Sequence, residues 1–525
     1  MTKVLASYAA GRWVEGKGPA TPLVDPTTEE VLAGATSAGL DMAAIVRHAR
    51  ERGLPALQEL TFAQRGELLG RAVKALHEHR DELLDLSTRS GGNTRGDAKF
   101  DVDGGINTLS HYAKLGEQLG PARWLADGEG VQLGRTPRYA GQHLLVPRRG
   151  VAVHINAFNF PAWGLCEKAA VAWLAGQPVI VKPGTSTALL AHRIVELLVA
   201  AQALPEGALS CVIGSAGDLL EHLGPQDVIA FTGSSQTGAT LRACQAVVRR
   251  GTRLNVEADS LNSAVLGPDV EDGADTFDLF LKDVAREVTQ KAGQKCTAIR
   301  RIFVPAAQLE AVREALIEQL RQVKVGNPAH ADARMGPLST AAQLADVQAG
   351  VKRLHSVARP VFGDGGRGAL VDVPAGKGFF LAPVLFEVAG DAVKAEAVHA
   401  HEVFGPVATL LPYSGQAADA ARLVALGEGS LVASVYSDAP DFASEVALGV
   451  APWSGRVSLG TSKVGEAVLG PGAVLPQLIH GGPGRAGGGE ELGGQRGLAL
   501  YLQRTAIQGY KPVLDKLAAG GKGAP

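Results

Sequence analysis

The 525 residues of this chain suggest roughly two to four domains, and 46% of them are apolar, which is enough to bury large cores. The 51 basic side chains nearly balance the 53 acidic ones, and aromatic residues make up only 5%, so the composition argues against a nucleic-acid-binding protein. Four cysteines without a CxxC pair exclude a disulfide framework, and no apolar run is long enough to span a membrane, so we expect a globular protein of the reducing cytoplasm.

Two amphipathic helices are the first predicted elements, over 41–53 and 62–88. From about residue 142, short apolar runs alternate with helical stretches, which predicts βαβ units and a parallel sheet buried on both faces. The candidate strands are HLLVP, GVAVHINAF, PVIVKP, LSCVIG, DVIAFTG and TRLNVEA, and the candidate helices cover 162–175, 186–203, 216–223 and 235–250.

A second alternating region predicts a second α/β domain. It contains the strand SAVLG, a helix near 276–292, the strand RRIFVP, a helix at 306–323, the segment 340–356 and the apolar runs FFLAPVLFEV and VATLLPY. The Gly/Pro-rich segment 466–497 is predicted to be a long loop, and the last eight residues are predicted to be a disordered tail.

Two sequence blocks follow predicted strands, where open α/β sheets bind ligands. The block VHINAFNFP contains Asn156 and Asn159, whose amides can donate to an oxyanion, although an Asn here can equally cap a helix. The block DVIAFTGSSQTG places Gly233 and Gly238 around a turn whose free amides attract phosphate. Its spacing lacks the lysine of a P-loop, and an ordinary strand-to-helix turn explains this block at least as well.

Three further residues are candidates for chemistry. Cys296, in KAGQKCTA, is flanked by lysines that can stabilise a thiolate, although most cysteines are core residues. Glu257 ends the apolar run TRLNVE, and a carboxylate in such a setting can titrate high and act as a base. Glu402, in HEVFGPV, precedes a Gly-Pro turn.

Taken in order, the blocks NFP, VKPGTST, FTGSSQTG, the carboxylate, GQKC and EVFGPV resemble the aldehyde dehydrogenase superfamily from about residue 6 to 510. The resemblance implies the α/β fold of that family, and a homodimer, with a tetramer as the alternative. Its parts would be a Rossmann-like cofactor domain over 1–126 and 150–258, an α/β catalytic domain over 259–476, a small β bridging and oligomerisation element over 127–149 and 477–510, and a C-terminal tail over 511–525.

The resemblance also assigns catalytic roles, and it implies no metal. Cys296 would be the nucleophile, and Asn159 with the Cys296 N–H would hold the oxyanion. Glu257 would activate water to hydrolyse the thioacyl-enzyme. Lys168 and Glu491 match positions of a proton path, although a surface carboxylate is the alternative for Glu491.

A nicotinamide cofactor is implied as well. By similarity its binding residues would be Ile155, Asn156, Phe158, Lys182, Thr185, Ser186, Gly214, Gly217, Phe231, Gly233, Ser234, Gly238, Glu402 and Phe404. Family members that prefer NAD commonly carry Glu at the position of Thr185. A neutral Thr185 near Lys182 therefore predicts a preference for NADP, with NAD used more weakly, although Thr185 could simply cap the next helix.

Within the family, the blocks EADSLN, KAGQKCTAIRR and HGGPGRAGGGEELGG resemble dehydrogenases of aerobic aromatic-acid degradation. The resemblance is closest to the stand-alone type of the benzoyl-CoA epoxidation pathway. It is next closest to the dehydrogenase domain of the bifunctional phenylacetate ring-cleavage enzyme. That enzyme carries a fused hydratase domain after its dehydrogenase, and we expect no room for one in a chain that ends at Pro525. The implied substrate is a CoA-thioester semialdehyde, with no nucleic acid or membrane as partner. A CoA-acylating dehydrogenase and a catalytically silent binding protein are alternatives, but the presence of Glu257 counts against the first. The joint presence of Asn159, Glu257 and Cys296 counts against the second.

Overall fold

The computed structural model describes residues 3–467 and 469–520. Its N-terminal elements are β1 (Ser7–Ala9), β2 (Arg12–Val14), β3 (Thr21–Val24), β4 (Val31–Ala35), α1 (Met42–His48), α2 (Leu54–Gln58), α3 (Phe62–Glu78), α4 (Arg80–Gly91) and α5 (Arg95–Leu119). The longest helix, α5, was not predicted, because two glycines interrupt its pattern. A Cβ on Gly104 would collide with the ring of Trp163, so this glycine allows α5 to pack closely on the following helix.

A seven-stranded sheet forms the first α/β unit. The elements that follow α5 are β5 (Leu125–Ala126), β6 (Val131–Gln132), β7 (Tyr139–Pro147), β8 (Ala152–Ile155), α6 (Trp163–Leu174), β9 (Val179–Lys182), α7 (Ala188–Ala200), β10 (Leu209–Cys211), β11 (Val228–Thr232), α8 (Ser235–Arg242), α9 (Gln245–Val248) and β12 (Arg253–Glu257). The sheet order is β12-β11-β8-β9-β10-β1-β2, with β12 to β10 parallel and β1 and β2 antiparallel. The helix predicted over 216–223 is only a short 3-10 turn at Leu219–His222, and HLLVP belongs to β7, outside this sheet.

A second seven-stranded sheet, with order β16-β18-β19-β14-β13-β20-β21, is parallel except for β16. The elements of this region are β13 (Ser263–Leu266), α10 (Asp275–Thr289), β14 (Arg301–Pro305), α11 (Leu309–Arg321), β15 (Val325–Gly326), α12 (Ala341–Leu354), β16 (Arg359–Phe362), β17 (Leu370–Val371), β18 (Val384–Glu387), α13 (Glu396–Ala400), β19 (Val407–Tyr413), α14 (Ala417–Ala425), β20 (Ser430–Tyr436), α15 (Pro440–Val450) and β21 (Ser454–Gly460). The predicted α/β class is confirmed, and the domain limits stay a prediction.

The C-terminal region contains β22 (Ile479–Gly481), β23 (Glu490–Leu492), β24 (Leu502–Tyr510) and α16 (Lys511–Ala518). The segment 466–497 is therefore not only a loop, because β22 and β23 form an antiparallel hairpin within it. The strand β24 pairs with β7 along its whole length, and β5 and β6 also pair with β7. The predicted disordered tail begins at the last residue of the helix α16, and this helix packs on β7 and β24. The last residues of the tail, 521–525, lie outside the described residues.

Residues that follow strands of the first sheet and residues that precede strands of the second sheet line one cavity. The strands β8, β9, β11 and β12 of the first sheet all end on the same side, which is where ligands bind in open α/β sheets. The strands β14 and β19 of the second sheet begin just after the GQKC and EVFGP blocks, so these blocks lie at the amino ends of those strands. Within the described ranges, no helix combines the length and the apolar character needed to cross a lipid bilayer.

Candidate active site

Cys296 lies in a constrained turn between α10 and β14. Lys291, Ala292 and Gly293 adopt left-handed φ angles of 54°, 53° and 68° in succession, and non-glycine residues keep that conformation only where the surroundings enforce it. A Cβ on Gly293 would collide with the carbonyl of Gly405. The Arg300 guanidinium donates to the carbonyl oxygens of both glycines at 2.8 Å. The GQKC and EVFGP blocks therefore form one packed unit that holds Cys296.

The Cys296 side chain is a free thiol that is partly exposed. Burial raises the pKa of the thiol well above its ordinary value, and the Glu257 carboxylate raises it further. The flanking lysines are held elsewhere. Lys295 Nζ lies 2.6 Å from a Glu287 carboxylate oxygen, and Lys291 Nζ sits 4.5 Å from the centre of a phenylalanine ring. This arrangement argues against the predicted stabilisation of a thiolate by these two cations.

Asn159 and the backbone of Cys296 present hydrogen-bond donors to the same space. Asn159 Nδ2 donates one proton to the Gln294 carbonyl at 3.0 Å, and its second proton remains available because an amide carries two. No acceptor among the described residues takes the Cys296 N–H. Both donors therefore have a proton left for an oxygen atom bound next to the thiol.

Glu257 ends β12 and is buried beside the thiol. Its Oε2 lies 3.2 Å from Nε2 of His480, a residue that the sequence analysis did not single out. The Cys296 Sγ, the His480 nitrogen and the Glu257 oxygen all lie within 4.8 Å of one another. Burial raises the pKa of Glu257, but the charges of His480 and Lys168 outweigh it and lower the pKa to about 2.

Behind Glu257 lies a buried chain of charged groups. Lys168, on α6, has its Nζ 3.1 Å from Glu167 and 3.0 Å from Glu491, which also accepts a hydrogen bond from Asn255 at 3.1 Å. Burial lowers the pKa of Lys168, but the two carboxylates raise it overall. Burial raises the pKa of Glu491 to about 7. Glu491 is therefore not a surface carboxylate, and it can change its charge near neutral pH.

A large cavity of about 630 Å³ opens between the sheets and ends at Cys296. Its size suits a cofactor. The residues predicted for cofactor binding that line it are Ile155, Asn156, Phe158, Lys182, Thr185, Ser186, Phe231, Gly233, Ser234, Glu402 and Phe404. Burial raises the pKa of Glu402 to about 7, and Glu402 accepts a hydrogen bond from the Ser260 N–H at 3.0 Å.

Three of the predicted cofactor residues do not line this cavity. Gly214 packs against the N-terminal region, where an added Cβ would lie 2.7 Å from the Ser37 nitrogen, and Gly217 lies beside Met42. Gly238 is buried in α8 against Val256. Close contacts explain the small size of Gly214 and Gly238, and Gly217 has a left-handed φ of 53°, which favours glycine. Sequence spacing could not distinguish these causes from contact with a ligand.

A second, narrower pocket adjoins the thiol and shares Asn159, Glu257 and Cys296 with the large cavity, and we call it the inner pocket. Its walls include Phe100, Phe160 and Trp163, with ring centres 5.2–6.0 Å apart in edge-to-face arrangements. The aromatic residues were not identified from the sequence, since α5 and its contact with α6 were not predicted. The three rings form an apolar wall beside Cys296, and the rest of the lining includes the charged or titratable side chains Glu167, Lys168, Glu257 and His480.

The sequence of this chain is similar to a family of enzymes that carry out this kind of chemistry. Residues 13–507 match the sequence model of the aldehyde dehydrogenase family. The chain is 47% identical over 479 residues to 3,4-dehydroadipyl-CoA semialdehyde dehydrogenase from Aromatoleum evansii, which covers 91% of this chain and 93% of the relative. The predicted resemblance is therefore confirmed.

Solved structures with low sequence identity share the fold. Betaine aldehyde dehydrogenase from Staphylococcus aureus superposes with a TM-score of 0.82 at 23% identity, covering 96% of this chain and 95% of the other. Lactaldehyde dehydrogenase from Escherichia coli has a TM-score of 0.82 at 23% identity, covering 97% and 99%. With a family match over nearly its whole length, this chain belongs to the aldehyde dehydrogenase family and is an aldehyde-oxidising enzyme.

Proposed function

We propose that the enzyme oxidises an aldehyde to a carboxylic acid through a thiohemiacetal and a thioacyl-enzyme on Cys296. The observation that carries this proposal is the convergence of Cys296, Asn159 and Glu257 where the large cavity meets the inner pocket. A nucleophile, oxyanion donors and a carboxylate base are the groups that this chemistry requires.

In the proposed reaction, the Cys296 sulfur attacks the aldehyde carbon, and the thiol proton passes to a neighbouring base. The amide of Asn159 and the N–H of Cys296 donate to the developing oxyanion. Residues lining the large cavity, among them Lys182 and Glu402, would hold a nicotinamide cofactor, which would supply the hydride acceptor for oxidation of the thiohemiacetal to the thioacyl-enzyme. Glu257 then takes a proton from water, the water oxygen bonds to the acyl carbon, and the carbon–sulfur bond breaks to release the acid.

For the cofactor we propose NADP, with NAD used more weakly. Thr185 lines the large cavity and is neutral, so it does not repel a 2′-phosphate. Lys182 lines the same cavity, and among the described residues burial, without a carboxylate partner, is the cause that lowers its pKa, so its ammonium is available to the cofactor. The structure of the Staphylococcus aureus relative in complex with NAD+ concerns that protein and does not decide the preference here.

For the substrate we propose 3,4-dehydroadipyl-CoA semialdehyde, with 3,4-dehydroadipyl-CoA as the product, in aerobic benzoate degradation. The support is the 47% identity, over 91% of this chain, to a relative of that name. A phenylacetate-type ring-cleavage semialdehyde is the alternative. We also propose that the enzyme is a homodimer in the cytoplasm, where reducing conditions keep Cys296 a thiol.

Reduced-cofactor formation with the CoA semialdehyde and with acetaldehyde, with NADP and with NAD, tests this function. We expect the highest kcat/KM with the CoA semialdehyde and NADP. We also expect the free acid as product even when CoA is added. A higher kcat/KM with acetaldehyde would contradict the substrate, and formation of a second CoA thioester would favour the acylating alternative.

A further inference from the structure

The hairpin of β22 and β23 brings a histidine to the proposed base. His480 is directly opposite Glu491 in the register of the two strands, and its side chain is only 4% exposed. The Glu257 Oε2 that it faces is buried, and the His480 Nε2 lies at ion-pairing distance from it, 3.2 Å away. A buried carboxylate oxygen without a partner is strongly disfavoured, so a nearby cation has a large effect on its charge.

The Gly-rich segment after His480 holds the His480 side chain next to Glu257. The Gly489 N–H donates to the Val256 carbonyl at 3.1 Å, and the Ala258 N–H donates to the Ala486 carbonyl at 3.0 Å, so the segment is bonded to the backbone on both sides of Glu257. A Cβ on Gly487 would collide with that same Val256 carbonyl. The glycines therefore allow a backbone approach that holds the hairpin, and with it His480, against the end of β12.

We propose that His480 is a positioning residue that keeps Glu257 ionised and directed toward the acyl carbon on Cys296. This inference rests on the proposed role of Glu257 as the base that activates water. It adds a residue that acts through Glu257, and it leaves the bonds made and broken in the reaction unchanged.

The other charged groups around the pair do not supply this effect by themselves. Lys168 is the second cation near Glu257, but its ammonium is already at ion-pairing distance from two other carboxylates. Burial lowers the pKa of His480, but the Glu257 carboxylate outweighs burial and raises it. The titratable and charged groups that face the pair from the surrounding elements are Cys296, Glu167, Lys168, Arg456 and Glu491.

The sign of the pH effect follows from this arrangement. With His480 present, the pKa of Glu257 is low, so the base stays a carboxylate as the pH falls well below neutral. Without the imidazole, burial raises the pKa of Glu257, and the base is protonated at a higher pH. Deacylation needs the carboxylate, so its acid limb should move up by about 1–3 pH units, the usual effect of one close opposite charge.

The test compares wild type with His480→Phe and His480→Gln, using full-length enzyme, NADP and the CoA semialdehyde. The burst of reduced cofactor reports hydride transfer, and the steady-state rate after the burst reports deacylation. We expect the burst to persist in both variants. The acid limb of the steady-state rate should shift upward most in His480→Phe and less in His480→Gln, whose amide can still donate a hydrogen bond. Glu490→Gln, a change in an exposed side chain of the same hairpin, should leave the profile unchanged.

An equal loss of rate at every pH, or an unshifted acid limb in both variants, would overturn the inference. Thermal unfolding of each variant shows whether it is folded, and His480→Gln keeps the test valid if His480→Phe does not fold. Failure of the proposed function would give a different result. The wild-type enzyme would not turn over the aldehyde, or Glu257→Gln would keep the wild-type steady-state rate.

Discussion

At the scale of single residues, Cys296 is the group on which the chemistry depends. We expect Cys296→Ala to lower kcat on the order of 10⁴-fold or more, because no other side chain can form the thioacyl-enzyme. Cofactor affinity, measured by fluorescence titration, should change little. Cys244→Ala is the matched control, since Cys244 lies before α9 and lines neither the large cavity nor the inner pocket. Activity near wild type in Cys296→Ala would reject the mechanism.

Glu257 separates the two halves of the reaction. We expect Glu257→Gln to retain the burst of reduced cofactor and to lower the steady-state rate about 10²–10⁴-fold, which is the usual contribution of a general base. Rapid-mixing absorbance measures both phases. If the burst also disappeared, Glu257 would be needed earlier, to deprotonate Cys296, whose pKa is raised by burial and by this same carboxylate.

Thr185 is the residue on which the cofactor preference depends. We expect Thr185→Glu to reduce kcat/KM for NADP at least tenfold, because a carboxylate in the large cavity would repel the 2′-phosphate, and about 1.4 kcal/mol suffices for a factor of ten. The value for NAD should fall less. Ser186→Thr, a neutral change at the next lining residue, is the control. A wild-type preference for NAD would contradict the argument.

Sequence alone identified the residues that carry recognisable motifs but not their partners. Cys296, Asn159 and Glu257 were found because their neighbours form motifs with fixed order. His480 lies in a quoted Gly-rich block, yet nothing in that block indicates that its backbone bonds to both sides of Glu257. Gly214 shows the converse, because a glycine needed for a protein contact has the same sequence signature as one needed for a ligand.

At the scale of elements, the start of α8 bears on cofactor affinity. Asp259 accepts hydrogen bonds from the Ser235 N–H at 3.0 Å and from its hydroxyl at 2.6 Å, so a carboxylate occupies the helix end that the family resemblance assigns to the pyrophosphate. We expect Asp259→Asn to lower the KM for NADP about two- to tenfold by removing like-charge repulsion, with slightly lower thermal stability.

Steady-state kinetics at saturating aldehyde measures this change. Asp346→Asn is the control, because Asp346 lines the same cavity from α12 and lies away from the start of α8. A higher KM in Asp259→Asn would mean that the carboxylate helps to hold the cofactor by ordering the turn.

Elements were predicted correctly where a single hydrophobic periodicity extends over the whole element. The parallel strands β8, β9, β11 and β12 were predicted from apolar runs in the sequence. The predicted positions agree with the structure to within a few residues. The helix α5 was missed because its glycines serve a contact with Trp163 that is distant in sequence. The hairpin of β22 and β23 was missed because glycine and proline, which favour turns, make up much of its sequence. Tertiary contacts decided both cases.

At the scale of the whole molecule, two edge strands suggest how subunits assemble. The strand β21 ends the second sheet, and β24 ends the small sheet built on β7, so each has an unpaired edge within the described chain. Large apolar side chains are exposed at both, including Leu459, which is 47% exposed, and Tyr510, which is 58% exposed. Open edges of this length invite aggregation unless they are covered.

Pairing of β24 with β21 of a second copy would cover both edges in a two-fold symmetric dimer, because each subunit supplies one strand of each kind. We expect wild type to be a dimer and Leu459→Arg to weaken dimerisation at least tenfold, since the new charge would lie in the contact. Light scattering coupled to size-exclusion chromatography over a dilution series measures this change. Val393→Arg, at an exposed apolar residue outside both edge strands, should remain dimeric. If Leu459→Arg stayed dimeric at every concentration, the subunits would have to associate through another surface.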